Sequence, residues 1–325
     1  MIIRPELQAL RSDDTPQRHA QLQLKIVLAE WQASASARLA EAELTRLADG
    51  ALLEDLPLLA ALFSAEDPSA LEFVGNLVGR LCKGLAQAPL GQIPLRHFTD
   101  DALASIMLAR SGFATLSLQA FDSVGIARRQ RAVSASFAPG QSWEHVLAGS
   151  VSADLVHCRK VWSDRAELEV EPIELGQGST LVRSNRDTAL QLGRISGLLV
   201  ILRLQCRSAS GGVTCEYTLA DGRLVHQAAS TSRESRLELT AALLGRMGRA
   251  DASPLLAAMA QEAGSAGLRW QALRECLGLD SAEGFRTLSA IARSSADPLA
   301  APAAALRAQL LETHPQLAEV KPCPA

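Results

Sequence analysis

The sequence predicts an α+β protein, with a central antiparallel β region between two helical ones, and three observations predict it. Apolar residues recur at helical spacing through roughly the first third of the chain. From residue 113 short alternating runs broken by glycine-centred turns take over, and past 233 a helical pattern returns and repeats itself. The expected boundaries are 1–112, 113–232 and 233–325. A chain of 325 residues exceeds the usual single-core size, which agrees with two or three units.

The first region reads as helix on its apolar stripe. Leu22, Ile26, Leu28, Trp31, Leu39, Leu44 and Leu47 fall near helical spacing, and Gly50 is placed to end the run as a C-cap. A second stripe follows in Leu71, Val74, Leu77 and Leu81, with Asp67 or Ser69 as N-cap and Pro68 near the first turn. "TDDALASIMLARSG" then predicts a short capped helix ending at Gly112.

In the central region "FATLSLQAFD", "RAVSASFAPG", "SWEHVLAGSVSADLVHCRKVW", "AELEVEPIELGQG" and "LLVILRLQC" read as strands of a sandwich or barrel. Asp221-Gly222 predicts a two-residue hairpin turn, which would set Leu219 against Leu224 and Tyr217 against His226. By the period of two, Cys215, Tyr217, Leu219, Leu224 and His226 would share an inner face. A turn around 208–212 would bring Cys206 to the same group.

In the last region residues 243–261 align with 275–293 at a shift of 32, and 302–317 begin a truncated third copy. This stretch of about 80 residues resembles HEAT-type helical repeats, with "LRWQALRECLGLD" as outer and "AEGFRTLSAIA" as inner helix.

Composition narrows the function. A net charge of −3 gives no basic field to attract nucleic acid. The arginines Arg128, Arg129 and Arg131 lack interleaved aromatics, so they read as a solvated loop. "GLLVIL" is far shorter than the roughly 20 apolar residues of a membrane-spanning helix, and the opening "MIIRPELQALRSDD" has no signal-peptide core. The scattered cysteines Cys82, Cys158, Cys206, Cys215, Cys276 and Cys323 form no C-x-x-C and point to a reducing cytoplasm. "GQGS" lacks the lysine of a phosphate loop, and no Gly-x-Ser-x-Gly is present.

The stretch "FAPGQSWEHVLAG" carries a resemblance. Pro139-Gly140 precedes a strand, Ser142-Trp143 opens it, Val146 to Gly149 would close a hairpin, and "LGQGS" and "GLLVILRLQ" follow as turn and late core strand. This is similar to the cupin jelly roll, most of all its thiol-dioxygenase branch. The resemblance implies a barrel holding a metal on three histidines, from an H-x-H motif and a later G-x-x-H-x-x-x-N. Here His145 would stand for the first ligand, but Leu147 occupies the second position and Leu181 the third, between Gly178 and Asn185. Leucine has no lone pair to share, so the standard metal centre is expected to be absent, with no cofactor.

Candidate binding residues are Trp143, His145, His157, Cys206, Cys215, Tyr217 and His226. His145, His157 and His226 could form a relocated metal site or be satisfied structural histidines. Cys206 with Cys215 could be a redox or metal pair or two buried thiols. Tyr217 with His226 could line a ligand cavity or be a cross-strand pair. The expected function is non-enzymatic: a small ligand in the barrel, a protein partner on the helical regions, and a regulatory or adaptor role. The alternatives are a dioxygenase-like metalloenzyme with displaced ligands, or a structural assembly subunit.

Overall fold

The computed structural model describes residues 13–162, 164–208, 212–229 and 231–320, so Cys323, the leading segment 1–12 and the middle of the expected 208–212 turn lie outside them. The chain divides into two units, Met1–Ala135 with Gly140–Arg207 and Leu219–Gly222, and Ser136–Pro139 with Ser208–Thr218 and Arg223–Ala325. Antiparallel sheet and helix coexist, as the sequence predicts for an α+β protein.

In the first unit the leading helical run is broken in two, α1 (Thr15–Gln32) and α2 (Ala35–Ala48). The break lies at Ser34, whose hydroxyl accepts from the Ala37 N–H at 3.3 Å and starts a new helix. Leu24, Leu28, Trp31, Leu44 and Leu47 are buried, while Leu22, Ile26 and Leu39 of the expected stripe are exposed. Gly50, at φ 101°, ends α2 as predicted. The short α3 (Pro57–Leu62) begins on a buried carboxylate: Glu43 accepts from the Leu58 and Leu59 N–H groups at 3.2 and 2.8 Å. Helix α4 (Ser69–Gln87) buries Val74, Leu77 and Leu81.

The segment expected as a helix up to Gly112 forms strands instead, β1 (His97–Thr99) and β2 (Leu103–Ser111). Its start is a turn: Asp100 Oδ1 accepts from the Ala102 and Leu103 N–H groups at 2.8 and 2.9 Å. The apparent C-cap Gly112, at φ 50°, turns the chain into β3 (Ala114–Asp122), where Ser111 lies opposite Ala114. Hairpin pairing with β3 overrides the helical spacing.

After a short α5 (Ser123–Arg128) come β4 (Ser134–Phe137), β5 (Gly140–Val161), β6 (Ala166–Gly176), β7 (Thr180–Ser184) and β8 (Thr188–Arg207). A seven-stranded sheet runs β1-β2-β3-β8-β5-β6, with β7 also paired to β5. Gly149 closes no hairpin. It sits within the continuous β5 at φ 81°, and a Cβ there would lie 2.3 Å from the Leu198 carbonyl oxygen, so only glycine fits this irregular step.

One face of this sheet joins the N-terminal helices in a single core. Leu108, Leu116, Trp143, Leu147, Leu202 and Leu204 cluster with Trp31, Leu44, Leu62 and Leu77. Each fully buried leucine of that core contributes about 1.5–3 kcal/mol.

In the second unit β9 (Val213–Thr218) and β10 (Leu224–Ala229) form a three-stranded sheet with β4. Their loop is longer than a two-residue turn, because Thr218 N–H donates to the Arg223 carbonyl. Tyr217 therefore faces Leu224 rather than His226, and a bulge at Val225 puts His226 opposite Glu216. Helices α6 (Ser232–Arg246), α7 (Ser253–Gln261), α8 (Ala266–Leu279), α9 (Ser281–Arg293) and α10 (Ala300–Thr313) follow. Their core holds Leu256, Leu273, Cys276 and Leu288 at full burial. Arg269 is buried beside it, paired with Asp297 at 2.5 Å and donating to the Ala260 carbonyl at 2.9 Å. Among the described residues no helix is long and apolar enough to cross a membrane.

Candidate functional site

Alternation along β5 assigns Trp143 and His145 to one face. Trp143 lies opposite Leu204, and His145 opposite Leu202, so both point to the helix-side core with Leu147. His145 is buried, and its Nδ1 lies 2.8 Å from the Leu62 carbonyl oxygen of α3. The carbonyl can only accept, so Nδ1 carries the proton. Cys206 packs against the same core, its thiol pushed up by burial and 3.9 Å from the Leu47 carbonyl. Trp143, His145 and Cys206 thus share a face, but one filled by helices.

The other expected residues lie elsewhere. His157 pairs with the half-exposed Glu171 at 2.9 Å. Cys215 belongs to β9, in a different sheet from Cys206, so no hairpin joins the two thiols. Tyr217 is buried against Phe137, with ring centroids 6.1 Å apart, whereas His226 is exposed on the other parity of its hairpin. Arg129 is bound to Asp100 at 2.7 Å. Among the described residues no three His, Cys, Asp or Glu side chains converge as metal ligands would.

What converges is a group on the opposite face of the large sheet. Ser142 of β5 faces Arg183 of β7, and Glu144 faces Arg203 of β8. Glu144, 3% exposed, accepts from Arg183 Nη2 at 2.7 Å and lies 3.4 Å from Arg203 Nε. Asn185 Nδ2 donates to the fully buried Ser142 Oγ at 2.8 Å, and Arg183 Nη1 donates to the Thr188 carbonyl at 3.3 Å. Burial lowers the Arg203 guanidinium below its ordinary pKa, Arg183 adds to the fall, and Glu144 opposes it. Two guanidiniums and one carboxylate leave a net positive charge.

This group is under-satisfied. Glu144 Oε2, Arg183 Nε, Asn185 Oδ1 and Arg203 Nε are buried with no hydrogen-bond partner among the described residues, Arg203 Nε keeping only its 3.4 Å ion pair with Glu144. A buried polar atom left without a partner costs about 1–3 kcal/mol, so each of these is expected to meet water or a ligand. Two of the four are donors and two are acceptors. Beside it the face becomes apolar, with Phe121, Val146, Leu199 and Ile201 buried and Leu181 against them. Leu181, the third ligand position of the cupin motif, is on this face, whereas His145 and Leu147 are not.

The sequence reading missed Glu144, Arg183 and Arg203. The available signal was "SWEHVL", in which a glutamate alternates with apolar residues in a strand flanked on both sides by others.

No family model matches the chain, and no curated protein does. Several solved structures are similar to about a third of it. A cupin superfamily protein from Desulfitobacterium hafniense is 14% identical over 34% of this chain and 83% of its own, at a TM-score of 0.24. KdgF from Halomonas sp. is 14% identical over 35% of this chain and 88% of its own, at 0.25. The Drosophila melanogaster CENP-C cupin domain is 14% identical over 36% of this chain and 77% of its own, at 0.27.

Proposed function

We propose that the protein is a non-catalytic binding module whose large sheet holds a small hydroxylated carboxylate against Glu144, Arg183, Asn185 and Arg203. One observation carries this reading: four buried polar atoms of that group have no hydrogen-bond partner among the described residues, Arg203 Nε having only its ion pair with Glu144. A carboxylate would accept from Arg183 Nε and Arg203 Nε and offset the net positive charge. A hydroxyl would donate to Glu144 Oε2 or Asn185 Oδ1. The neighbouring Val146 and Ile201 would pack the carbon skeleton.

A thermal-shift titration with a panel of hydroxy acids and sugar acids tests this. A ligand that binds only the folded state raises the melting temperature with its concentration, by RT ln(1 + [L]/Kd) in free energy. One acid is expected to do so, and Arg183→Met is expected to abolish the shift. A crystal structure in which ordered waters satisfy all four atoms, with no shift from any acid, overturns the reading.

A partner-docking role for the C-terminal helices is a second reading. Leu239 and Leu243 of α6 and Met247 just past its end continue one stripe at 69%, 57% and 58% exposure, with Arg246 beside it. The complement is an amphipathic helix with acidic flanks. Replacing the three apolar residues by serine is expected to abolish binding of such a peptide.

A further inference from the structure

A second recess lies in the first unit on the helix side of the sheet. It is a cleft of about 310 Å³ between α1, α2, α4 and β2. Its floor is apolar and rigid. Leu28, Trp31, Phe73 and Leu108 line it, all at least nine-tenths buried, and Trp31 meets Phe73 edge to face with centroids 5.5 Å apart. Leu108 reaches the floor by an irregularity of the strand. Met107 pairs with Ser117 and Ala109 with Leu116, so Leu108 is an extra residue turned toward the helices.

The mouth is charged, with Arg96, Arg110 and Glu41 at its edge, all exposed. Among the described residues no carboxylate lies within ion-pair distance of the Arg96 or Arg110 guanidinium. The Arg110 side chain makes one long contact, 3.5 Å to the Gly112 carbonyl. Two exposed cations without an ion-pair partner thus stand at the rim of a cleft whose buried floor is apolar and aromatic. An apolar body bearing an anionic head would use both.

The geometry points to a binding site for a small amphipathic carboxylate with a flat aromatic body: the ring enters beside Trp31, and the carboxylate stays at the mouth on Arg96 and Arg110. The site is distinct from the polar group on the opposite face of the sheet and does not depend on it. Glu41 repels the head, so it tempers affinity.

The test is calorimetric titration with naphthalene-1-acetate, using the neutral naphthalene-1-acetamide as its control. The acid is expected to bind at least tenfold more tightly than the amide, and the R96A/R110A variant is expected to erase that preference. Both arginines are exposed, so the variant should retain its circular dichroism and melting temperature. E41Q is expected to tighten the acid and leave the amide unchanged. Equal affinity for acid and amide, an undiminished preference in R96A/R110A, or no saturable binding in the millimolar range overturns the proposal.

Discussion

Glu144 pairs with two guanidiniums, the buried Arg183 and the partly exposed Arg203, so replacing it should expose what the group contributes. Glu144→Gln keeps the shape and one acceptor but removes the charge. Arg183, whose side chain is 7% exposed, would then be a buried cation with no counter-charge, a change that typically costs about 3–5 kcal/mol. Arg203, at 28% exposure, is partly screened by water, and its share is nearer the 0–1 kcal/mol of surface pairs. The glutamine carbonyl still accepts from Arg183 and recovers roughly 1 kcal/mol. The expected net loss is about 3 kcal/mol. With a urea slope of about 1–3 kcal/mol/M the midpoint should fall by at least about 1 M. Trp31, Trp143 and Trp162 report on the first unit, and a Trp270→Phe background silences the tryptophan of the second. Removing both charges in Glu144→Leu/Arg183→Met should restore most of the stability, and phosphate should stabilise Glu144→Gln more than the parent. A loss below about 1 kcal/mol, or a double variant as unstable as the sum of its singles, would refute the description of this group as a buried ion cluster.

Other consequences follow from neighbouring contacts. His145→Phe leaves the Leu62 carbonyl without its donor and is expected to cost about 1–3 kcal/mol by chemical denaturation, whereas an effect near zero would mean the imidazole is not held there. Arg269 and the Leu299 N–H hold the Asp297 carboxyl below the usual carboxylate range. A depressed carboxyl stabilises the fold above its unfolded pKa and ceases to as pH falls through its folded pKa. The second unit, followed through Trp270, should therefore lose stability on acidification below about pH 4, and Asp297→Asn should flatten that dependence. Burial, with Glu283 and Asp280, pushes the Cys276 thiol up to about 11. Native protein treated with iodoacetamide at neutral pH should be alkylated at the exposed Cys82 and not at Cys276, as read by peptide mass mapping.

The α+β class and most strands were legible because alternation and helical spacing are local properties. The failures share a cause that is not local. Asp100 and Gly112 look like the two ends of a helix, and they mark a turn and a hairpin only because β3 is available to pair with β2. Asp221-Gly222 looks like a two-residue turn, yet Gly222, at φ 69°, sits so close to the Ala166 carbonyl oxygen that any Cβ would overlap it, and the loop is set by that approach.

The candidate site was hidden for a sharper reason. Period-two alternation tells which residues share a face but not which face meets the core, and the usual rule takes the apolar parity as inward. That rule serves sheets with one wet face. Here helices cover the face of Trp143, Leu202 and Leu204, and the opposite face is buried as well, with Val146 and Ile201 at one end and Ser142, Glu144 and Arg183 at the other. In such a sheet the apolar parity locates the packing partner, and the polar parity, which looks like solvent exposure, locates the buried ion cluster. The resemblance offers His145 as the first metal ligand, yet its apolar neighbours in "HVLAG" belong with a histidine held by a backbone carbonyl. Glu144, one residue earlier, is the side chain whose burial the backbone does not explain.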